Sequence, residues 1–174
     1  MWIFGYGSLM YDGWEQSRHC IRRERATLLD HERSFTKASV RNWGSAAHPA
    51  PTLRVVPRAG ATCVGVAFQF SADHAPAVLE YLASREGKGF HRRDVSLELL
   101  AGERVVGECY FYEGTNTLDD VDLEKIADLA LGAKGKDGTG VEYLVDLKTE
   151  LDRHAIEDQR VDELLSIVRL KMKR

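Results

Sequence analysis

The chain has 174 residues, with 24 Lys and Arg against 27 Asp and Glu and a formal net charge of −3. That length suffices for one domain whose core needs no metal or disulfide staple, and the even charge balance argues against a nucleic-acid or anionic-membrane binder, which usually carries a basic excess. No apolar run approaches the roughly 18–20 residues of a membrane span, the N-terminus lacks the basic-then-apolar pattern of a secretory signal, and three scattered cysteines, Cys20, Cys63 and Cys109, suit a reducing, cytoplasmic setting.

Met1–Leu9 (MWIFGYGSL) reads as a short strand entering a Gly-punctuated turn. The basic run Arg22-Arg23-Glu24-Arg25, like Lys171-Met172-Lys173-Arg174 at the other end, is expected on solvated surface. A strand is expected within Ala26–Lys37, then a loop over 41–51 (RNWGSAAHPAP). Thr52–Pro57 and Ala61–Phe70 follow as two strands, the second with Val64, Val66, Phe68 and Phe70 alternating against smaller residues. Asp73 is placed to cap a helix over 74–86 with the stripe Ala75, Val78, Leu79 and Leu82. Arg93–Leu100 and Arg104–Tyr112, joined by Ala101-Gly102-Glu103, form a hairpin signal.

Beyond Gly114 the pattern turns helical, with helices expected over 120–131, 140–155 and 159–172. Thr139 with Glu142 three residues on is a capping-box pattern, and Val161, Leu164, Leu165, Val168 and Met172 mark one face of the last helix. The Gly-rich stretch 132–140 reads as a connection between helices. Strands with one inserted helix, followed by helices, favour an α+β domain with a mostly antiparallel sheet or barrel flanked by C-terminal helices.

Two segments carry candidate chemistry. A strand that turns sharply at Tyr6-Gly7-Ser8-Leu9 exposes consecutive main-chain N–H groups, an arrangement that binds carboxylate or carbonyl oxygen; the same residues also fit a plain tight turn. Glu86 ends the expected helix, where the macrodipole disfavours negative charge, and Gly87 and Gly89 let the chain leave by a left-handed turn. A carboxyl group desolvated there would rise from about 4.3 toward the range a general acid/base uses; an exposed Glu paired with Arg85 is the plainer alternative. The other patterns are weaker. His19-Cys20 has no orienting third group, and His19, His31, His48, His74, His91 and His154 show no metal-ligand spacing. Ser8 lies outside a Gly-x-Ser-x-Gly elbow, and the 132–140 glycines lack a phosphate-loop ending. Cys63 and Cys109 fall within strands, as core residues do.

Taken together, Phe4-Gly5-Tyr6-Gly7-Ser8-Leu9 and Tyr81–Phe90 (YLASREGKGF) resemble the γ-glutamylcyclotransferase superfamily, most of all its ChaC-like branch, which acts on glutathione. Ser39-Val40, Gly44-Ser45, the strand Val64–Phe70 and Gly140-Val141-Glu142-Tyr143-Leu144 follow in family order, so the likeness spans nearly the whole chain. The resemblance implies one γ-glutamylcyclotransferase-like domain over 1–174, a small barrel with flanking helices, no cofactor or metal, and a small-molecule γ-glutamyl substrate; a monomer or weak homodimer is the expectation for assembly, on which the sequence itself is silent. The resemblance implies that Tyr6, Gly7, Ser8 and Leu9 line the γ-glutamyl pocket and that Glu86 is the catalytic acid/base. It further implies Tyr143 as a pocket residue and Arg41 near the substrate's outer end. The implied reaction converts glutathione to 5-oxoproline and Cys-Gly. The chain departs from the branch at Asn42-Trp43-Gly44-Ser45-Ala46 and at Ala50-Pro51-Thr52. Other γ-glutamyl-amines or γ-glutamyl-amino acids, and a non-catalytic γ-glutamyl or small-anion binding module, therefore stay open.

Overall fold

A computed structural model describes residues 1–11, 13–118 and 122–173. Two units organise the chain: Met1–Arg33 with Val55–Thr115, and Ser34–Arg54 with Asn116–Arg174.

The first unit is built on strands β1 (Trp2–Gly5), β2 (Arg22–Ser39), β3 (Ala50–Gln69), β4 (Phe90–Leu99) and β5 (Arg104–Tyr112). They close in the order β1-β3-β2-β4-β5; the far ends of β2 and β3 run on into the second unit. β1 is antiparallel to β3, with Gly5 opposite Val66, and parallel to β5, with Phe4 opposite Cys109. β2 meets β4 antiparallel at Leu28 and Leu97, and β4 and β5 form the hairpin legible in the sequence. Its turn is closed by Gly102 N–H donating to Leu99 O at 2.8 Å, with Gly102 at φ 82°. Ile3, Phe4, Leu28, Phe68, Leu97 and Cys109 are fully or nearly fully buried. Here the α+β expectation and the mostly antiparallel barrel hold.

The expected break between Thr52–Pro57 and Ala61–Phe70 does not occur, because β3 runs unbroken through both. Residues 57–60 lie on an exposed stretch of the strand, where a missing proline N–H leaves no buried acceptor unpaired. Gly60, at φ 76°, is held instead by its N–H donating to the Asp30 carboxylate at 2.9 Å. The alternation read over Val64–Phe70 also understates burial, since both faces of residues 65–68 are buried.

One helix belongs to this unit, α1 (Ala75–Glu86), which buries Val78 and Leu82. Its N-cap is His74, not Asp73, and no side chain caps it. Pro76 sits in the first turn, where the N–H it lacks would have no helical partner, and Ala75 N–H donates to Ser71 O at 3.2 Å. The basic run is not simply solvated: Arg22 pairs with Glu24 at 2.6 Å and lies over the Trp2 ring, and Arg23 pairs with Glu15 at 3.1 Å.

The second unit holds the ends of β2 and β3, their connecting loop, and helices α2 (Leu123–Gly132), α3 (Gly140–Arg153) and α4 (Gln159–Lys171). The first residues of the helix expected over 120–131 lie outside the described ones. Asp122 accepts from Lys125 N–H and caps α2, while the Thr139–Glu142 capping box forms as the spacing requires. The three helices pack on one another around Ile126, Leu144, Leu147, Leu151, Leu164 and Val168. Met172 does not extend the buried stripe; it follows the helix end and is 63% exposed. Lys171, expected in a solvated tail, instead pairs with Asp128 at 2.7 Å and Glu124 at 2.9 Å on α2.

Candidate active site

β1 ends at Gly5 because the following residues curl into a single 3-10 turn, Ser8–Met10, with Met10 N–H donating to Gly7 O at 2.9 Å. The close approach that brings Gly5 into the sheet depends on Gly65 of β3. A Cβ there would fall inside 3.0 Å of the Gly5 carbonyl and 2.7 Å from Phe4 Cζ, so any side chain at this position would force its neighbours to shift.

The turn's polar groups divide sharply. Its carbonyls are taken up by donors from other elements of the same unit. Arg33 Nε donates to Tyr6 O at 2.9 Å, Arg85 Nη2 to Ser8 O at 3.4 Å and Trp14 Nε1 to Leu9 O at 2.9 Å, while an Arg23 amine donates to Met10 O. The main-chain N–H groups of Gly7, Ser8 and Leu9 make no hydrogen bond among the described residues. Acceptors already engaged by cationic and indole donors, beside donors with no acceptor among the described residues, leave a surface that is chiefly donating. Such a surface suits a carboxylate or a developing oxyanion.

Sequence reasoning singled out the turn but not what holds it. Arg33 is 6% exposed and also donates to Val64 O. The one clue was its place two residues before Phe35 on β2, which puts a cation on an apolar face of the strand. Trp14 is buried too, stacked on Tyr81 at 5.9 Å between centroids and in contact with Phe68 and Phe70. Nothing local in the sequence marks Arg23 or Arg33 as partners of a turn that lies elsewhere in the chain, and Trp14, close to Leu9 in sequence, carries no mark of its bond to it.

Glu86 is the last residue of α1. Gly87 follows at φ 71° with ψ −166° and Gly89 at φ 98°, so both glycines supply the positive φ of the exit, but Gly87 is extended in ψ and does not form the left-handed turn expected. The Glu86 side chain is 13% exposed, and its Oε1 lies 3.6 Å from Arg85 Nε. The same guanidinium reaches Ser8 O, so the carboxylate and the N-terminal turn stand within the span of one arginine head. β5 lies alongside both. Tyr6 donates its hydroxyl to Tyr110 O at 3.1 Å. Burial, then the neighbouring Cys63 and Glu86 charges, push the Cys109 thiol well above its ordinary value of 9.0. Tyr110 is raised as well, chiefly by burial against the opposing pull of Arg92. Glu86 and Tyr110 line an open cleft of about 830 Å³ between the last turns of α1 and the start of β4.

Tyr143 and Arg41 belong to the second unit. The buried Tyr143 hydroxyl accepts from Leu53 N–H at 2.9 Å, and its ring lies 5.5 Å from that of Trp43. The Arg41 side chain is exposed and its carbonyl accepts from Lys136 N–H at 2.9 Å. The first unit thus brings Tyr6–Leu9 and Glu86 together from its two separate stretches of sequence.

The fold is shared with solved proteins. A crystal structure described as the γ-glutamylcyclotransferase specific to glutathione from yeast superposes with a TM-score of 0.86 at 20% identity, covering 98% of this chain and 96% of that one. In sequence, a protein of Schizosaccharomyces pombe named glutathione-specific γ-glutamylcyclotransferase is 28% identical over 195 residues, spanning 100% of this chain and 95% of the relative. An Escherichia coli protein of the same name is 28% identical over 173 residues, spanning 97% and 73%. The ChaC-like protein family model matches residues 1–171, and with that match across the barrel, the turn and the helices, the chain belongs to the ChaC-like family.

Proposed function

We propose that the chain is a γ-glutamylcyclotransferase that converts glutathione to 5-oxoproline and Cys-Gly, with Glu86 as the general acid/base. The observation that carries this reading is the turn at Tyr6–Leu9. Each of its carbonyls already accepts a hydrogen bond, the N–H groups of Gly7, Ser8 and Leu9 make none among the described residues, and a largely buried carboxylate stands one guanidinium away. The names of the relatives supply the substrate.

The reaction is an intramolecular aminolysis. The substrate's α-ammonium gives up a proton to the Glu86 carboxylate, and the freed amine attacks the γ-carbonyl carbon to form the five-membered ring. The tetrahedral intermediate collapses by breaking the bond to the cysteinyl nitrogen. Two protons leave the attacking nitrogen and two arrive on the departing one, so one carboxyl group shuttles them without net consumption. The open N–H groups of Gly7, Ser8 and Leu9 receive the γ-glutamyl oxygens and the charge that develops on the γ-carbonyl; each such donor is worth about 3–4 kcal/mol in the transition state. Because attack is unimolecular, a pocket that enforces the curled conformer supplies much of the acceleration. The donors already on the turn's carbonyls also make it a poorer acceptor for the substrate's ammonium.

The test is Glu86→Gln, which keeps the side chain's shape and removes its proton chemistry. Release of 5-oxoproline from glutathione, followed by mass spectrometry, is expected to fall by about 10²-fold or more, with the circular dichroism spectrum unchanged. Release near the wild-type rate would exclude Glu86 from this role.

A further inference from the structure

A role for the cleft beside Glu86 rests on the cyclotransferase reading and extends it to the far end of the substrate. Glu86 is common to the cleft and to the surroundings of the N-terminal turn, whereas the turn's own residues do not line the cleft. A substrate held by its γ-glutamyl head at the turn, with its scissile carbonyl at Glu86, therefore sends its leaving portion into the cleft. In glutathione that portion ends in a carboxylate.

Three nitrogen bases line the cleft: Lys88, His91 and Arg92. Arg92 is paired with Glu108 at 3.0 Å, and His91 Nε2 lies 4.0 Å from Glu113. Lys88 makes no hydrogen bond or ion pair among the described residues. It stands between Gly87 and Gly89, both at positive φ, with Phe90 N–H closing back toward Gly87 O at 3.5 Å. Two glycines in that conformation fix the course of the backbone and carry the lysine past the helix end along the cleft wall. Glu80, which also lines the cleft, stands toward the other end of its α1 wall beside Leu79.

We infer that Lys88 is a specificity residue, binding the distal carboxylate of the leaving group and so favouring γ-glutamyl peptides that end in a carboxylate over γ-glutamyl-amines.

The experiment compares kcat/KM for 5-oxoproline release from glutathione and from its glycine amide, which differ in that carboxylate alone. The wild-type enzyme is expected to prefer the acid. In Lys88→Met the acid-over-amide ratio is expected to fall about fivefold, the upper end for an exposed ion pair, through KM rather than kcat. Lys88→Arg is expected to retain most of the preference, and about 0.5 M salt to shrink it in the wild type. An unchanged ratio in Lys88→Met, or an equal loss on both substrates, would overturn the assignment of Lys88 and leave the cyclotransferase reading standing. A wild-type protein that releases 5-oxoproline from neither compound would overturn the reading and this inference together.

Discussion

Gly65 offers the sharpest test of how the barrel sets the turn. In Gly65→Ala the new methyl group meets the Gly5 carbonyl inside 3.0 Å and the Phe4 ring at 2.7 Å and 3.0 Å. Phe4 is fully buried and Gly5 is registered against Val66, so neither can retreat without disturbing the β1–β3 pairing. Overpacking of this kind costs about 1–3 kcal/mol, and a backbone obstruction puts the value at the upper end. At about 2–4 °C per kcal/mol for a chain of this size, thermal unfolding should drop by roughly 4–10 °C. The Gly5 carbonyl immediately precedes Tyr6, so the displacement is passed to the turn, and a shift of about 1 Å there costs on the order of 10²-fold in kcat/KM. Gly60→Ala is the control. Gly60 has a left-handed φ of 76° and nothing within 4 Å of an added methyl, so that variant pays backbone strain of about 1–2 kcal/mol while activity stays at the wild-type level. Differential scanning fluorimetry and a 5-oxoproline assay on both variants decide the matter. If Gly65→Ala keeps wild-type stability and turnover, the claim that the sheet fixes the turn is wrong.

Two further outcomes concern the second unit. Tyr143→Phe removes the acceptor for the Leu53 N–H, and stranding a buried donor should cost about 1–3 kcal/mol, measured as a shift in the urea midpoint with an unchanged slope. Thr139→Ala breaks the capping box of α3 and should cost about 1 kcal/mol by the same measurement. The box also carries an acid signature. Hydrogen bonds from the Thr139 N–H and then its hydroxyl hold the Glu142 carboxyl below its ordinary 4.5. A depressed folded-state value stabilises fully above 4.5 and is lost as pH falls through that lower value, so the advantage of wild type over Glu142→Gln should shrink between about pH 6 and pH 3. A difference that stays constant over that range would show that the Thr139 contacts do not act on Glu142.

Much of this protein was decided locally and could be read locally. The β4–β5 hairpin, the apolar stripe of α1, the capping box at Thr139 and the positive-φ exit at Gly87 each depend on neighbours a few residues apart, and their periodicity or turn chemistry is written in consecutive positions. The two segments that resemble the cyclotransferase motifs were legible for the same reason. Tertiary structure decided what those segments do to each other. Closure of the barrel carries Arg33 to the Tyr6 carbonyl of a turn elsewhere in the chain, and it lets Arg85 reach Ser8 as well as its neighbour Glu86. It also lets β3 run straight through Pro57 on an exposed stretch. A buried arginine or an uninterrupted strand is stabilised by partners that become neighbours when the sheet closes, and no window of consecutive residues contains both halves of such a contact.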